Sequence, residues 1–248
     1  MRFPTIAVLA GLALGQMGRA LAQSAPAPQN SSRGATAASA DIELVERLLA
    51  ARREYESALE ALRLQYHAIG DVERERWAQE ELFQFNRIVK QAYRLELDVP
   101  PPTLQATVNI PAANELYRQA MVYKEKWSPF RSEENMDNQR RAEVLLQQLL
   151  TAYPQSDRIG DSAYQLGDIY DRSFKQYRRA ATYFERCFQW NPNTRLDARL
   201  RAARLYDKQL QERARALELY KDVTITETDT KRMDEAKARI AELSTAKR

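Results

Sequence analysis

The chain has 248 residues, of which 44% are hydrophobic and 29% are charged, with a formal net charge of +4 at pH 7. A single histidine and a single cysteine argue against a structural zinc site and exclude an internal disulfide. Seven glycines in the whole chain, with abundant Ala, Leu, Glu and Arg, favour an all-helical protein.

The first 22 residues have the organisation of a secretory signal peptide. Arg2 gives a positive start, residues 6–14 form an apolar run, and an Ala-Leu-Ala triplet ends at Ala22. The run is too short to span about 30 Å of hydrocarbon, which disfavours a membrane anchor. We therefore predict cleavage after Ala22 and export to the periplasm or cell envelope. No cysteine lies at the predicted cleavage site, so we do not expect a lipid anchor. No later stretch is apolar enough to cross a bilayer.

The remaining chain is close to electrical balance. Removing residues 1–22 takes away Arg2 and Arg19 and no acid, so the formal charge falls to +2. Acidic and basic residues then interleave, as they do on solvated helix faces. Because no block of lysine or arginine could follow a phosphate backbone, we expect no nucleic-acid partner.

The N-terminal third predicts a linker followed by a helical hairpin. Residues 23–40 are small, polar and proline-containing, which predicts disorder. Residues 41–97 predict two antiparallel helices with Gly70-Asp71 as the turn. The apolar stripe of the first helix fits packing within one chain or a coiled-coil dimer, and the short run and tight turn favour the former. Its members are Val45, Leu48, Tyr55, Leu59, Leu62 and Tyr66, with Arg52 interrupting the stripe.

Residues 98–111 contain three consecutive prolines, which cannot lie inside a helix and favour a stiff, extended chain. This stretch is predicted to be a linker along the surface and the one plausible domain boundary. From residue 112 the helical pattern resumes and continues to residue 246.

Two stretches of the C-terminal half are related by an offset of 36 residues. Small and large side chains recur at matching positions, which is what a stacked helical repeat produces. Small residues at the helix crossings would let paired helices approach closely. The first set is Leu166, Gly167, Tyr170, Ala180, Phe184 and Cys187, and the second is Ala202, Ala203, Tyr206, Ala216, Tyr220 and Val223.

This pattern resembles the tetratricopeptide repeat. In that family a Leu-Gly pair with a following Tyr marks the first helix, small-aromatic-small residues mark the second, and a proline, here Pro192, closes the unit. The resemblance implies an all-α, tetratricopeptide-like α-solenoid of antiparallel helix pairs, preceded by the N-terminal hairpin. The hairpin could itself be a degenerate unit. Repeats are expected at about 112–154, 158–192 and 194–228, with a capping helix at 231–246.

The resemblance also implies a non-enzymatic scaffold that binds a protein or peptide through its concave face, without a cofactor or metal. The predicted concave face lacks the lysine and asparagine set with which some family members clamp a chaperone's terminal carboxylate, so the resemblance does not favour that role. An alternative is that Asp168 and Arg204 pair with each other across the groove. The candidate partner-binding residues are Asp161, Tyr164, Asp168, Asp171, Arg204, Asp207 and Lys208, and Asp197 and Leu200 share their face.

Cys187, His67 and a set of aromatic side chains could each have a chemical role or a purely structural one. Cys187 could be a reactive thiol, but it occupies a position that needs a small buried residue. His67 could be a general base oriented by Asp71, but it lies in a turn and no nucleophile can be named beside it. An aromatic ligand platform is less favoured than packing for Trp77, Trp127, Trp190 and Tyr153.

The alternative function is self-association. The protein would then be a structural spacer or homo-oligomer held together through the hairpin or the repeat edges.

Overall fold

The computed structural model describes the backbone of residues 30–88, 90–126 and 133–245, and the side chains from residue 41 onward within these ranges apart from Glu133. In these ranges the regular elements are helices, and the one β feature is an isolated bridge between Val108 and Ser156. The all-α prediction is confirmed. The helices are α1 (Asn30–Ile69), α2 (Val72–Arg87), α3 (Leu95–Asp98), α4 (Pro111–Lys124), α5 (Glu133–Ala152), α6 (Ile159–Ile169), α7 (Tyr177–Trp190), α8 (Ala198–Lys208), α9 (Arg213–Thr226) and α10 (Thr230–Thr245).

The chain divides into two compact units, Met1–Asp41 and Ile42–Arg248. Of the first unit, residues 30–41 are described, and they are helical. Residues 30–40 were predicted to be disordered, and the structure corrects this. Four alanines lie between residues 35 and 40, and alanine has the highest intrinsic helix propensity. Residues 23–29 and the signal segment lie outside the described residues.

Helices α1 and α2 form the hairpin. Gly70 adopts a left-handed φ of +75°, and the Asp71 carboxylate accepts a hydrogen bond from the Arg74 backbone N–H as the N-cap of α2. The Tyr55 and Phe85 rings lie 5.0 Å apart across the pair. Gly70 is thus a turn residue, unlike the helical glycine of a tetratricopeptide unit.

The second helix of the hairpin is shorter than the predicted end at Leu97. It ends at Arg87, and Ile88 is extended. The chain then turns toward α7, where the Lys90 carbonyl accepts a hydrogen bond from the Arg179 guanidinium at 3.2 Å. Tertiary contacts of this kind override local helix propensity.

The proline segment, residues 98–110, is bonded to the repeats, so it is not the predicted domain boundary. Proline lacks an N–H but keeps its carbonyl, and the segment uses that acceptor twice. Arg186 Nε donates to the Pro100 carbonyl at 2.7 Å, and Trp190 Nε1 donates to the Pro101 carbonyl at 2.8 Å. Further along, the Asp157 N–H donates to the Val108 carbonyl at 2.7 Å. Residues 42–248 accordingly form one compact unit.

From Pro111 onward, adjacent helices pack in pairs: α4 with α5, α6 with α7, and α8 with α9, followed by α10 on α9. The closest crossing lies at Gly167. A Cβ atom on this residue would lie 2.7 Å from Cδ1 of Phe184 in α7. Glycine is needed there because the Phe184 ring occupies the space of a side chain. The residues of the 36-residue pattern are all buried, whereas Pro192 is exposed.

The turns within successive pairs repeat the same geometry. Lys175 and Gln211, which are 36 residues apart, both have φ of 57°. The Gln176 N–H donates to the Tyr170 carbonyl, and the Glu212 N–H donates to the Tyr206 carbonyl. In the first of these pairs α6 continues into one π-helical turn, Tyr170–Phe174. The identical hydrogen bonds at one fixed offset identify the two pairs as copies of one unit.

The aromatic residues divide between core and surface. Trp190 is buried against the proline segment, as packing predicts, and Tyr153 is half-buried. Trp77 is 59% exposed, so the packing expectation is wrong for this residue, because the hairpin leaves that side of α2 uncovered. Trp127 lies outside the described residues. Among the described helices, none has both the length and the apolarity that a bilayer crossing requires.

Candidate functional site

Side chains of α4, α6, α8 and α10 are hydrogen-bonded to one another in chain order, and we call their common surface the first-helix face. Arg158, at the start of α6, donates from Nε to Asn114 of α4 at 2.7 Å. Tyr164 of α6 donates from its hydroxyl to Asp197, the residue before α8, at 2.6 Å. These contacts align the first helices of successive pairs, so the predicted site residues lie on one continuous surface.

Asp168 is the centre of an ion-pair cluster on this face. Lys124 Nζ of α4 lies 2.6 Å from its Oδ2, and Arg201 Nη1 of α8 lies 2.5 Å from its Oδ1. Arg172 Nε lies 3.0 Å from the same Oδ1. Burial by itself would raise the pKa of Asp168, but Lys124 and Arg201 outweigh it and hold the pKa below its ordinary value. One carboxylate therefore joins three consecutive first helices.

A second group of ion pairs joins α8 to α10. Arg204 bonds Glu235 through two nitrogens, at 2.7 and 2.5 Å. Asp207 is buried and accepts hydrogen bonds from Arg239 Nη2 at 2.6 Å and from the Tyr220 hydroxyl at 3.1 Å. The hydrogen bond from Arg204 lowers the pKa of Glu235. This arrangement attaches the terminal helix to the last repeat.

Two predicted site residues keep part of their surface accessible while bonded within the chain. Tyr164 is half-buried, and burial with its bond to Asp197 raises the pKa of its hydroxyl. Asp161 lies 3.2 Å from Arg158 Nη1. Both side chains are oriented by neighbours on the same face, so they would present fixed polar groups to a partner.

Asp171 differs from the other acids of the first-helix face. Within the described part of the chain its carboxylate forms no ion pair, although it is half-buried. Burial raises the pKa of Asp171, and Arg201 and Lys175 offset this only in part. It lies in the π-helical turn, an irregularity that is frequent at functional sites. Lys208, at the end of α8, is exposed and also lacks an ion pair among the described residues.

The structure corrects part of the predicted site. Asp168 and Asp207 are 8% exposed and are bonded within the chain, so they join helices and do not face outward. Leu200 is 1% exposed and belongs to the core. The alternative in which Asp168 pairs with Arg204 is wrong, because Asp168 pairs with Arg201, and Arg204 pairs with Glu235.

The cations and acids that complete these pairs were missed by sequence reasoning. Three of these pairs are 31 to 33 residues apart along the chain, namely Tyr164–Asp197, Asp168–Arg201 and Arg204–Glu235, whereas Lys124 and Asp168 are 44 residues apart. Equivalent positions of the two repeats are 36 residues apart, so each side chain contacts the next helix about one turn nearer its start. The available signal was an opposite charge at this shorter spacing. The missed residues are Lys124, Arg201, Glu235 and Arg239.

The surroundings of Cys187 and His67 favour structural roles for both side chains. Cys187 is fully buried, and burial raises the pKa of its thiol to about 12 against the opposing effect of its contact with Thr194. His67 Nδ1 lies 3.1 Å from Glu75, and not from Asp71, which caps α2 instead. A thiol held protonated inside a core is a weak nucleophile.

Stacked helix pairs with equivalent turns, small residues at the crossings and a shared face of first helices define an α-helical repeat protein of the solenoid class. Residues 172–240 match the family model described as tetratricopeptide repeat. These residues carry tetratricopeptide repeat sequence, as the resemblance predicts. Comparison with curated proteins gave no match. Tetratricopeptide repeats generally mediate protein–protein interaction and are typically non-catalytic.

Proposed function

We propose that this protein is an exported scaffold of the cell envelope that binds a protein or peptide partner through the first-helix face. The observation that carries the proposal is Asp171, a half-buried carboxylate on that face without an ion-pair partner in the described part of the chain. A partly desolvated charge is costly unless it is paired. A lysine or arginine of the partner would provide the missing charge. Tyr164 and Asp161 lie on the same face and would provide oriented polar contacts beside it.

The ion-pair cluster around Asp168 supports this assignment indirectly. Lys124 and Arg201 neutralise Asp168 and hold three first helices together, so the surface beside Asp171 is preorganised. A preorganised surface loses less conformational entropy when a partner binds. The partner-binding role is therefore assigned to Asp171, Tyr164, Asp161 and Lys208, with Asp168 and Asp207 as supporting residues.

A photo-crosslinking amino acid at position 208 tests the face in intact cells. We expect a specific adduct that disappears with Asp171→Arg, because the reversed charge repels the partner's cation. The matched control is Glu218→Arg, which changes an exposed acid, 67% accessible in its side chain, on the second helix α9. An adduct that survives Asp171→Arg as well as Glu218→Arg would remove the first-helix face from the proposal.

Export is proposed from the composition of residues 1–22. A positive residue, an apolar run and small residues at the end are the three parts of a cleavable signal. N-terminal sequencing of the mature protein should begin at Gln23. A chain that retains Met1 in the cytoplasm would contradict export and leave the repeat assignment in place.

Self-association through α1 is a second candidate, favoured by one observation. Leu48, Tyr55, Leu62 and Ile69 are spaced by seven residues and are 37%, 42%, 45% and 61% exposed. A seven-residue apolar spacing on a long helix is typical of coiled-coil association. We propose as the second candidate that the protein is a homo-oligomer in which a second copy of the chain covers this stripe.

Sedimentation of the mature protein tests this candidate. Leu48→Ser with Leu62→Ser should dissociate an oligomer into monomers. Ile225→Ser, at a residue of α9 that is 81% exposed, is the matched control and should leave the oligomer intact. A wild-type protein that sediments as a monomer at high concentration would eliminate self-association.

A further inference from the structure

A large groove lies between the hairpin and the first repeat. It has a volume of about 1300 Å³ and is lined by α1, α2, α3, the start of the proline segment, Tyr123 of α4, α5 and two residues of α7. We call it the hairpin groove. Its walls include the apolar side chains of Leu82, Phe83 and Leu145. A groove of this size accommodates several residues of an extended peptide.

Three cations from different elements converge in the hairpin groove. They are Arg52 of α1, Lys90 after α2 and Arg140 of α5. Within the described part of the chain none of the three forms an ion pair. Lys90 Nζ donates to the Asn86 side chain at 3.1 Å and lies 4.2 Å from the centre of the Phe85 ring. These neutral contacts orient the ammonium group, and no carboxylate of the described residues forms an ion pair with it.

The electrostatic surroundings of Lys90 show that Arg52 and Arg140 both act on its charge. Burial lowers the pKa of Lys90, Glu56 and Glu143 oppose this, and Arg52 and Arg140 lower it further. Burial also lowers the pKa of Arg140. Desolvated like charges in proximity cost free energy unless an anion is supplied.

Most acids of the hairpin groove are already engaged. Asp98 lies 2.6 Å from Arg179 Nη2, and Asp137 lies 3.1 Å from Arg87 Nε. Glu143 accepts a hydrogen bond from the Tyr170 hydroxyl at 2.6 Å. Because these carboxylates have their own partners, the groove has more cations than acids that lack an ion pair in the described part of the chain, and Arg52, Lys90 and Arg140 are among those cations.

We propose that the hairpin groove binds an acidic segment of a partner protein, with glutamate or aspartate carboxylates bonded to Lys90, Arg140 and Arg52. The proposal rests on the proposed function in that the partner is a protein, but it assigns a second surface. The three cations provide separated points of positive charge between apolar walls, which suits carboxylate side chains spaced along a peptide.

A nucleic acid is a poorer occupant of the same groove. A phosphate backbone carries a continuous series of charges and binds best to an unbroken track of cations. Here Glu56 and Glu80 also line the groove. These acids would repel a backbone phosphate, whereas a peptide can place a neutral side chain beside them.

Fluorescence anisotropy with the full chain and a fluorescein-labelled hexaglutamate peptide tests the proposal. Lys90→Glu combined with Arg140→Glu should weaken binding by about tenfold or more, because two attractive contacts become repulsive. Lys90→Gln combined with Arg140→Gln should weaken it less, which guards against a folding defect in the charge-reversed protein. The matched control is Lys221→Glu combined with Lys231→Glu, two exposed lysines outside the groove. All variants are compared by thermal unfolding.

The outcomes separate this proposal from the first-helix face. Asp171→Arg should leave hexaglutamate binding unchanged, so a failure of that face would not affect this measurement. Equal affinity of the wild type, both groove variants and the lysine control would overturn the acidic-peptide site. So would an oligothymidylate that binds more tightly than hexaglutamate and depends on Lys90 and Arg140, because the groove would then be a nucleic-acid site.

Discussion

Gly167 of α6 faces the ring of Phe184 in α7 so closely that an added Cβ would lie 2.7 Å from the ring atom Cδ1. Real Cβ atoms do not approach a ring carbon to this distance without displacing it. Both residues are buried, and Phe184 also contacts Tyr164 edge-on at a centroid distance of 5.5 Å. The missing side chain at position 167 therefore sets the spacing of the two helices in this repeat.

Gly167→Ala should destabilise the protein although alanine is the better helix former. We expect a loss of about 1–3 kcal/mol, because the Phe184 ring must leave its position in a packed core. Denaturant unfolding followed by circular dichroism measures this. The comparison is Gly160→Ala, where the nearest atom would be the Asn191 Cβ at 3.1 Å, and the loss should be smaller. An increase in stability for Gly167→Ala would contradict the close crossing.

Asp168→Asn should break the junction between three first helices. Lys124 and Arg201 would lose their common carboxylate. Because both ion pairs are mostly buried, we expect the free energy of unfolding to fall by about 2–3 kcal/mol. The control is Lys208→Gln, which changes an exposed residue of the same face and should alter the free energy of unfolding little. Equal midpoints for both variants would show that the cluster is energetically neutral.

The pH dependence of stability should report the same carboxylate. The pKa of Asp168 is lowered by folding, so its stabilisation is fully present above the unfolded pKa, about 4, and is lost as the pH falls through the lower folded value. The wild type should therefore lose more stability than Asp168→Asn between neutral pH and about pH 3. Parallel stability curves for the two proteins over that range would contradict the shift.

Trp190→Phe should loosen the proline segment while keeping the aromatic packing. It removes the hydrogen bond from Nε1 to the Pro101 carbonyl, for which we expect about 1 kcal/mol. Limited proteolysis should then cut residues 98–110 faster. Trp77→Phe changes an exposed ring of α2 and serves as the control. Cleavage of the proline segment at the wild-type rate in Trp190→Phe would contradict its attachment.

The thiol of Cys187 should be inert in the folded protein. Its pKa is raised by burial to about 12, so a negligible thiolate fraction exists at neutral pH. Reaction with a thiol reagent should proceed at the rate of global unfolding and become fast in denaturant. Rapid labelling of the native protein would show that the repeat opens locally at this position.

The repeat was predictable because it depends on local spacing and on residue size. Gly167, Ala180 and Phe184 fall at helical intervals, and the 36-residue offset relates their packing to that of the next repeat. Periodicity of this kind survives in a single sequence because every repeat solves the same packing problem.

The charged site was only partly predictable. Asp168, Arg204 and Asp207 were assigned to the correct face, but their partners lie on other helices at separations that depend on how the helices cross. The hairpin groove gave no sequence signal, because Arg52, Lys90 and Arg140 lie far apart along the chain. The docking of the proline segment was missed for a similar reason, since it relies on backbone carbonyls that have no sequence signature.

The amino-acid sequence by itself determined that this protein is helical, that residues 172–240 carry tetratricopeptide repeat sequence, and which small residues lie at the helix crossings. These features follow from short-range spacing, which each segment carries alone. Only the tertiary structure decided which charges neutralise one another and which, such as those of Asp171 and Lys90, have no ion pair in the described part of the chain. Ion pairing depends on distances of a few ångströms between helices, and those distances exist only after the helices have packed.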